Sequence, residues 1–205
     1  LVTLYGAGGV GKTRLAVEVA ARHADVFTDG VYFVDLAPVA DGPHVIAAVG
    51  MALDVWERPG MAVLDDIAVA LEGRSLMIVF DNCEHVLRAV APAIARLLAR
   101  CPRVHIVATS REPLRVDGEA ILPVEALAVV SDDEASLSAA ETLFFDRAAD
   151  SGVALDPAGE RAAVSSICRR LDGIPLAIEL AASRIRALSP RQIDAALDQR
   201  FALLQ

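Results

Sequence analysis

Gly6-Ala7-Gly8-Gly9-Val10-Gly11-Lys12-Thr13 is the stretch on which the fold turns. It has the spacing Gly-x-x-x-x-Gly-Lys-Ser/Thr. Leu1–Tyr5 reads as an apolar strand before it, and Thr13–Ala24 as an amphipathic helix after it. Glycines here let main-chain N–H groups turn inward at angles that side chains obstruct, and the helix start adds roughly half a positive charge. Lys12 supplies an ammonium for β- and γ-phosphates, and Thr13 a hydroxyl for Mg²⁺. The candidate nucleotide-binding set is therefore Gly6, Ala7, Gly8, Gly9, Val10, Gly11, Lys12, Thr13 and Arg14. At about 4 Å and an effective dielectric near 20, one Lys–phosphate charge pair is worth roughly 4 kcal/mol. A glycine turn needed only for tight packing would require neither Lys12 nor Thr13.

Composition narrows the remaining choices. Over 205 residues, 55% are hydrophobic but only 4% aromatic, so the core must be aliphatic; 23% charged is ordinary and argues against disorder. The net charge of −9 has the wrong sign for a nucleic-acid surface. Eighteen of the nineteen basic residues are Arg, and the single Lys is Lys12, where a compact ammonium is most useful for phosphate. Cys83, Cys101 and Cys168 share no Cys-x-x-Cys spacing, which fits packing roles in a reducing compartment, hence the cytoplasm. The four histidines form no metal-ligand pattern, and no uncharged apolar run approaches eighteen residues, so neither an imidazole-held metal nor a membrane span is expected. The chain starts at Leu1 and enters strand-like sequence at once, and so reads as a segment of a longer protein.

Outward from the loop, strand and helix signals alternate. Strands are expected at Val31–Leu36, Leu76–Phe80, Val104–Ala108 and Ala120–Val124, and helices at His44–Leu53, Val63–Leu71 and Val86–Leu98. Leu76–Phe80 is a continuous apolar run, as for a strand buried on both faces of a parallel sheet. This rhythm predicts a doubly wound α/β sheet; together with the phosphate loop, the expected fold is an α/β P-loop NTPase, a three-layer α/β/α with a mostly parallel five-stranded sheet. Near Val130 the character changes: Ser131-Asp132-Asp133-Glu134 is polar, and strand signals cease. Val164, Ile167, Cys168 and Leu171 lie on one helix face, and Ser189-Pro190-Arg191-Gln192 reads as a capped helix start. The expected division is residues 1–130 as the α/β domain and 131–205 as a small helical subdomain.

Three further motifs carry chemistry. Leu76-Met77-Ile78-Val79-Phe80-Asp81 ends an apolar strand in a carboxylate, which either faces Mg²⁺ at the strand's carboxyl end or caps the next helix. Asn82 follows, in place of an acid that activates water; Asn cannot accept that proton, so hydrolysis should be slow. Glu84 or His85 either substitutes or is a first-turn residue on a solvated face. Val104–Ala108 leads into Thr109-Ser110-Arg111, whose arginine either touches a γ-phosphate or pairs with Glu112 or another carboxylate.

Taken together, GAGGVGKT, LMIVFDNCEH, VATSRE and CRRLDGIPLAIELAASR resemble the nucleotide-binding core of STAND ATPases, nearest to the NB-ARC-like (AP-ATPase) domain of bacterial LuxR-type and SARP-type transcription regulators. The resemblance implies a switch in which ADP holds a closed monomer and ATP favours an open form that often oligomerises. It implies Lys12 and Thr13 as the Walker A residues, Asp81 as the Walker B magnesium residue and Arg111 as the sensor arginine. Pro175 in Gly173-Ile174-Pro175 would pack near adenine, although the same triplet is a helix-breaking turn in either case. The cofactors implied are ATP or ADP with Mg²⁺. Partners would be winged-helix and effector domains of the same chain. The alternative is a P-loop small-molecule kinase, with Arg169-Arg170 as a lid feature. A GTPase fails on composition, because an Asn-Lys-x-Asp element cannot be assembled from one Asn and one Lys.

Overall fold

All five strands run in the same direction. In the computed structural model, which describes residues 1–56, 63–131, 133 and 136–202, β1 (Val2–Tyr5), β2 (Val31–Asp35), β3 (Leu76–Asp81), β4 (Val104–Ser110) and β5 (Ala120–Pro123) form one sheet in the order β2-β3-β4-β1-β5. Every pairing is parallel. The side-chain alternation of a strand divides β3 between two cores. Leu76, Ile78 and Phe80 enter one core with α2 (Gly42–Ala52), α3 (Val63–Leu71) and α4 (Leu87–Arg100). Met77 and Val79 enter the other with Ala16 and Ala20 of α1 (Lys12–Arg22). Both faces of β3 are buried, which is why it reads as an unbroken apolar run. Helices on both faces of the sheet make the three-layer α/β/α arrangement of the P-loop NTPase fold.

The described residues divide into two compact units. One is Leu1–Gly8 with Lys12–Val124; the other is Gly9–Gly11 with Glu125–Gln205. Of the polar run after Val130, Asp132 and Glu134 lie outside the described residues. The second unit has its own core, built from α5 (Ala139–Asp150), α6 (Pro157–Arg170), α7 (Pro175–Ala182) and α8 (Pro190–Ala202). Phe144, Ile167, Cys168 and Ile178 are fully buried there. Among the described residues, three of this unit's four helix starts carry side-chain caps and that of α7 does not. Ser138 and Glu141 form a reciprocal capping box that starts α5 at Ala139. Asp156 accepts from Ala158 and Gly159 N–H at α6. At α8 the Ser189 N–H donates to Gln192 Oε1 at 2.9 Å and the Gln192 N–H to Ser189 Oγ at 3.4 Å, as the sequence pattern requires. No helix among the described residues is long and apolar enough to cross a membrane.

Candidate functional site

A single carboxylate oxygen gathers the site. β3 and β4 pair with Phe80 opposite Ala108, which brings the next residues, Asp81 and Thr109, together at the carboxyl ends of their strands. Asp81 Oδ1 accepts the Thr109 hydroxyl at 2.6 Å and the Thr13 hydroxyl at 2.7 Å, joining α1 to β3 across 68 positions of sequence. Thr109 Oγ1 in turn accepts the Asn82 N–H at 2.9 Å. Asp81 and Thr109 are buried. Asn82 takes a left-handed conformation, φ 63°, and makes no side-chain cap; of the two roles open to Asp81 in the sequence, helix capping is not the one its oxygen performs.

Lys12 is the first residue of α1 and is buried. Its ammonium donates to Gly6 O at 2.9 Å and Ala7 O at 2.8 Å, folding the loop over its own side chain. Burial lowers the Lys12 ammonium below its ordinary range; nearby Glu84 and Asp81 oppose that effect and Arg111 adds to it. Arg14 is exposed in the first turn of the same helix, and Val10 is buried. Gly11, at φ 98° with nothing within 4 Å of where a Cβ would stand, supplies the open main-chain angle a cradle needs. The oxygen donors of Thr13 and Asp81 suit a hard divalent cation.

Arg111 follows the last residue of β4 and pairs through Nε with Glu84 Oε1 at 2.9 Å. The partner is thus neither Glu112 nor solvent alone. Glu84 belongs to the 3-10 turn Cys83–His85, whose Cys83 is fully buried, with its thiol pushed well up by that burial. His85 Nε2 lies 2.9 Å from Val39 O, tying this turn to the β2–α2 connection. His85 is therefore engaged as a structural hydrogen-bonding group. In the second unit, Pro175 opens α7, and the Leu176 N–H donates to Gly9 O at 3.2 Å. Arg170, half of the Arg169-Arg170 pair, is held by Asp194 and Asp198 of α8.

Two side chains at this corner carry no decisive sequence signal. Thr109 is part of a polar triplet, and what marks it is its place one residue beyond the strand position paired with Phe80. Glu84 is open in sequence to water activation or solvation, and its partner Arg111 lies 27 residues away, beyond any local pattern.

An all-parallel sheet with helices on both faces, Lys12 and Thr13 at the start of the first helix and Asp81 at the end of β3 define a P-loop NTPase fold. No family model matches the chain. In sequence it is similar to a stretch of a Mycobacterium tuberculosis protein named as an HTH-type transcriptional regulator, with 43% identity over 205 residues, covering all of this chain and 22% of that one. It is also similar to the regulatory protein AfsR of Streptomyces coelicolor, with 32% identity over 195 residues, covering 90% of this chain and 18% of that protein. The chain thus spans about a fifth of the length of these relatives. Among solved structures, the Aeropyrum pernix ORC2 protein in ADPNP–ADP complexes superimposes with a TM-score of 0.62 at 13% identity, covering 96% of this chain and 60% of that one. A STAND protein with a tetratricopeptide repeat sensor from Pyrococcus horikoshii matches with a TM-score of 0.53 at 14% identity, covering 85% and 26%. At such identities these two bear on the fold.

Proposed function

We propose that the chain is a nucleotide-switch segment of a bacterial transcriptional regulator, alternating between ADP and ATP with Mg²⁺. The observation that carries this reading is Asp81 Oδ1 receiving the Thr13 hydroxyl, one residue from Lys12. A phosphate-binding helix start and an acidic strand end then share one corner. In this reading Gly6–Lys12 cradle the phosphates, Thr13 and Asp81 hold Mg²⁺, Arg111 meets the γ-phosphate, and Pro175 lies toward the base. Magnesium, when bound, neutralises phosphate charge. The similarity to regulators many times longer supports output through further domains of the same chain, winged-helix and effector domains among them, with nucleotide-dependent self-association. Work in the cytoplasm fits the free, buried cysteines. The acidic balance of this segment assigns nucleic-acid contact elsewhere. Asn82 cannot take a proton from water, so hydrolysis is slow and serves the switch.

The scale is adequate. Moving a two-state equilibrium from 1:99 to 99:1 takes about 5.5 kcal/mol of differential binding, an amount within reach of a γ-phosphate with several charge-assisted contacts. Calorimetry with ADP and ATP on this chain and on Lys12→Ala tests the reading. Removing the ammonium should weaken binding roughly ten- to a hundredfold, the worth of a charge-assisted hydrogen bond. Mass analysis of the nucleotide released on denaturing the purified protein should find ADP. No heat from either nucleotide, with no change in Lys12→Ala, overturns the proposal; steady turnover near 10 per second, ordinary for an efficient enzyme, overturns slow hydrolysis. A kinase on the same fold would need a mobile arginine lid, and Arg170 is pinned to two aspartates.

A further inference from the structure

The geometry points to Glu84 as a positioning residue that holds Arg111 ready for the γ-phosphate and thereby sets the preference for ATP over ADP. This rests on the nucleotide-switch reading above.

Arg111 is 63% exposed at its side chain, so an unrestrained guanidinium would sample many rotamers. Glu84 is 17% exposed and sits on a turn fixed at both ends, by buried Cys83 and by His85 against Val39 O. The carboxylate pairs with Arg111 through Nε, the inner nitrogen, at 2.9 Å. A guanidinium carries further donors on its terminal nitrogens, which can meet a second anion. One of them already lies over the phosphate loop: a Cβ added at Gly8 would stand 3.1 Å from Arg111 Nη2. Glu84 Oε2 is buried with no hydrogen-bond partner among the described residues. The carboxylate is therefore committed to Arg111 through one oxygen and not saturated by a fork-to-fork pair. The guanidinium is thus paired at its inner nitrogen while Nη2 stands beside Gly8 of the phosphate loop, and on this inference the group it meets is the γ-phosphate of ATP, absent from ADP. Because the ordering is completed before the ligand binds, ATP does not bear its cost.

Fixing one long side chain in advance corresponds to roughly three- to tenfold in affinity. The experiment measures the ratio of ADP to ATP dissociation constants, in Mg²⁺, for the unaltered chain, Glu84→Ala, Glu84→Gln and each of these in an Arg111→Ala background. Glu84→Ala should lower the preference for ATP roughly three- to tenfold while leaving ADP affinity nearly unchanged. Glu84→Gln keeps a polar oxygen beside Nε without the charge and should restore part of the preference. With Arg111→Ala, neither change at position 84 should move the ratio. An unchanged or raised ATP preference in Glu84→Ala, or an equal drop without Arg111, overturns the inference; so does loss of ADP and ATP binding together, the mark of a merely structural role. Binding of both nucleotides by the unaltered chain keeps those failures separate from failure of the switch reading, in which neither nucleotide binds.

Discussion

Thr109 shows how much one hydroxyl can organise. It donates to Asp81 and accepts from the Asn82 N–H, and it is fully shielded from water. Valine has the same shape without either bond. Thr109→Val leaves a main-chain N–H without its acceptor at the point where the chain reverses after β3, and removes one of the two hydroxyls on Asp81 Oδ1. Each buried group left unpaired costs about 1–3 kcal/mol. Urea denaturation should therefore show Thr109→Val destabilised by roughly that amount; a loss below about 0.5 kcal/mol would mean that the Asn82 N–H finds another partner. At this scale the sequence was legible only in part. Lys12, Thr13 and Asp81 announce themselves because each belongs to a short motif with a fixed local spacing. Thr109 and Glu84 do not. Their importance comes from strand register and from a left-handed residue at Asn82 that redirects the chain, and both properties appear only once the strands are paired.

At the scale of elements, burial on both faces explains why the core strands could be read so directly. Apolar spacing marks α4 and α6 and a cap pattern marks α8, but helix ends belong to caps. Asp41, Ser138 and Asp156 accept main-chain N–H groups from the first turns of α2, α5 and α6, and capping fixes starts that periodicity leaves loose. The turn Gly173-Ile174-Pro175 illustrates the other limit. As a sequence it is a helix breaker; in the structure it is a close crossing within the second unit. The Leu127 N–H donates to Gly173 O at 2.9 Å. A Cβ at Gly173, where φ is 66°, would lie 2.1 Å from Leu127 O. No side chain can be accommodated there without moving main chain. Gly173→Ala should cost at least about 3 kcal/mol, combining left-handed strain with the clash. Gly152→Ala is the matched control: φ is 83°, yet nothing lies within 4 Å, so only the strain of about 1 kcal/mol remains. Chemical denaturation of the two variants should separate them clearly, and equal losses would show that backbone angle alone, not the approach to Leu127, governs the turn.

For the whole molecule, the decisive quantity is charge. In the proposed function a chain with a net charge of −9 binds a polyanion. The field of the protein opposes approach, and local chemistry would have to outweigh it: one ammonium, a helix start and a divalent cation that Thr13 and Asp81 would hold. Binding to the folded form alone stabilises by RT ln(1 + [L]/Kd), about 2.7 kcal/mol at a hundredfold excess over Kd. For a chain of this length, each kcal/mol raises Tm by about 2–4 °C, so saturating ADP with Mg²⁺ should raise it by roughly 5–10 °C. Chelating the magnesium returns uncompensated phosphate charge to an acidic surface, and the shift should shrink. Lys12→Ala removes the only lysine and should abolish most of it. Thermal scans across these three conditions compare the same fold with and without each positive charge. A shift that persists undiminished in both chelator and Lys12→Ala would place nucleotide binding away from the phosphate loop, because no other arrangement of those charges could leave the stabilisation untouched.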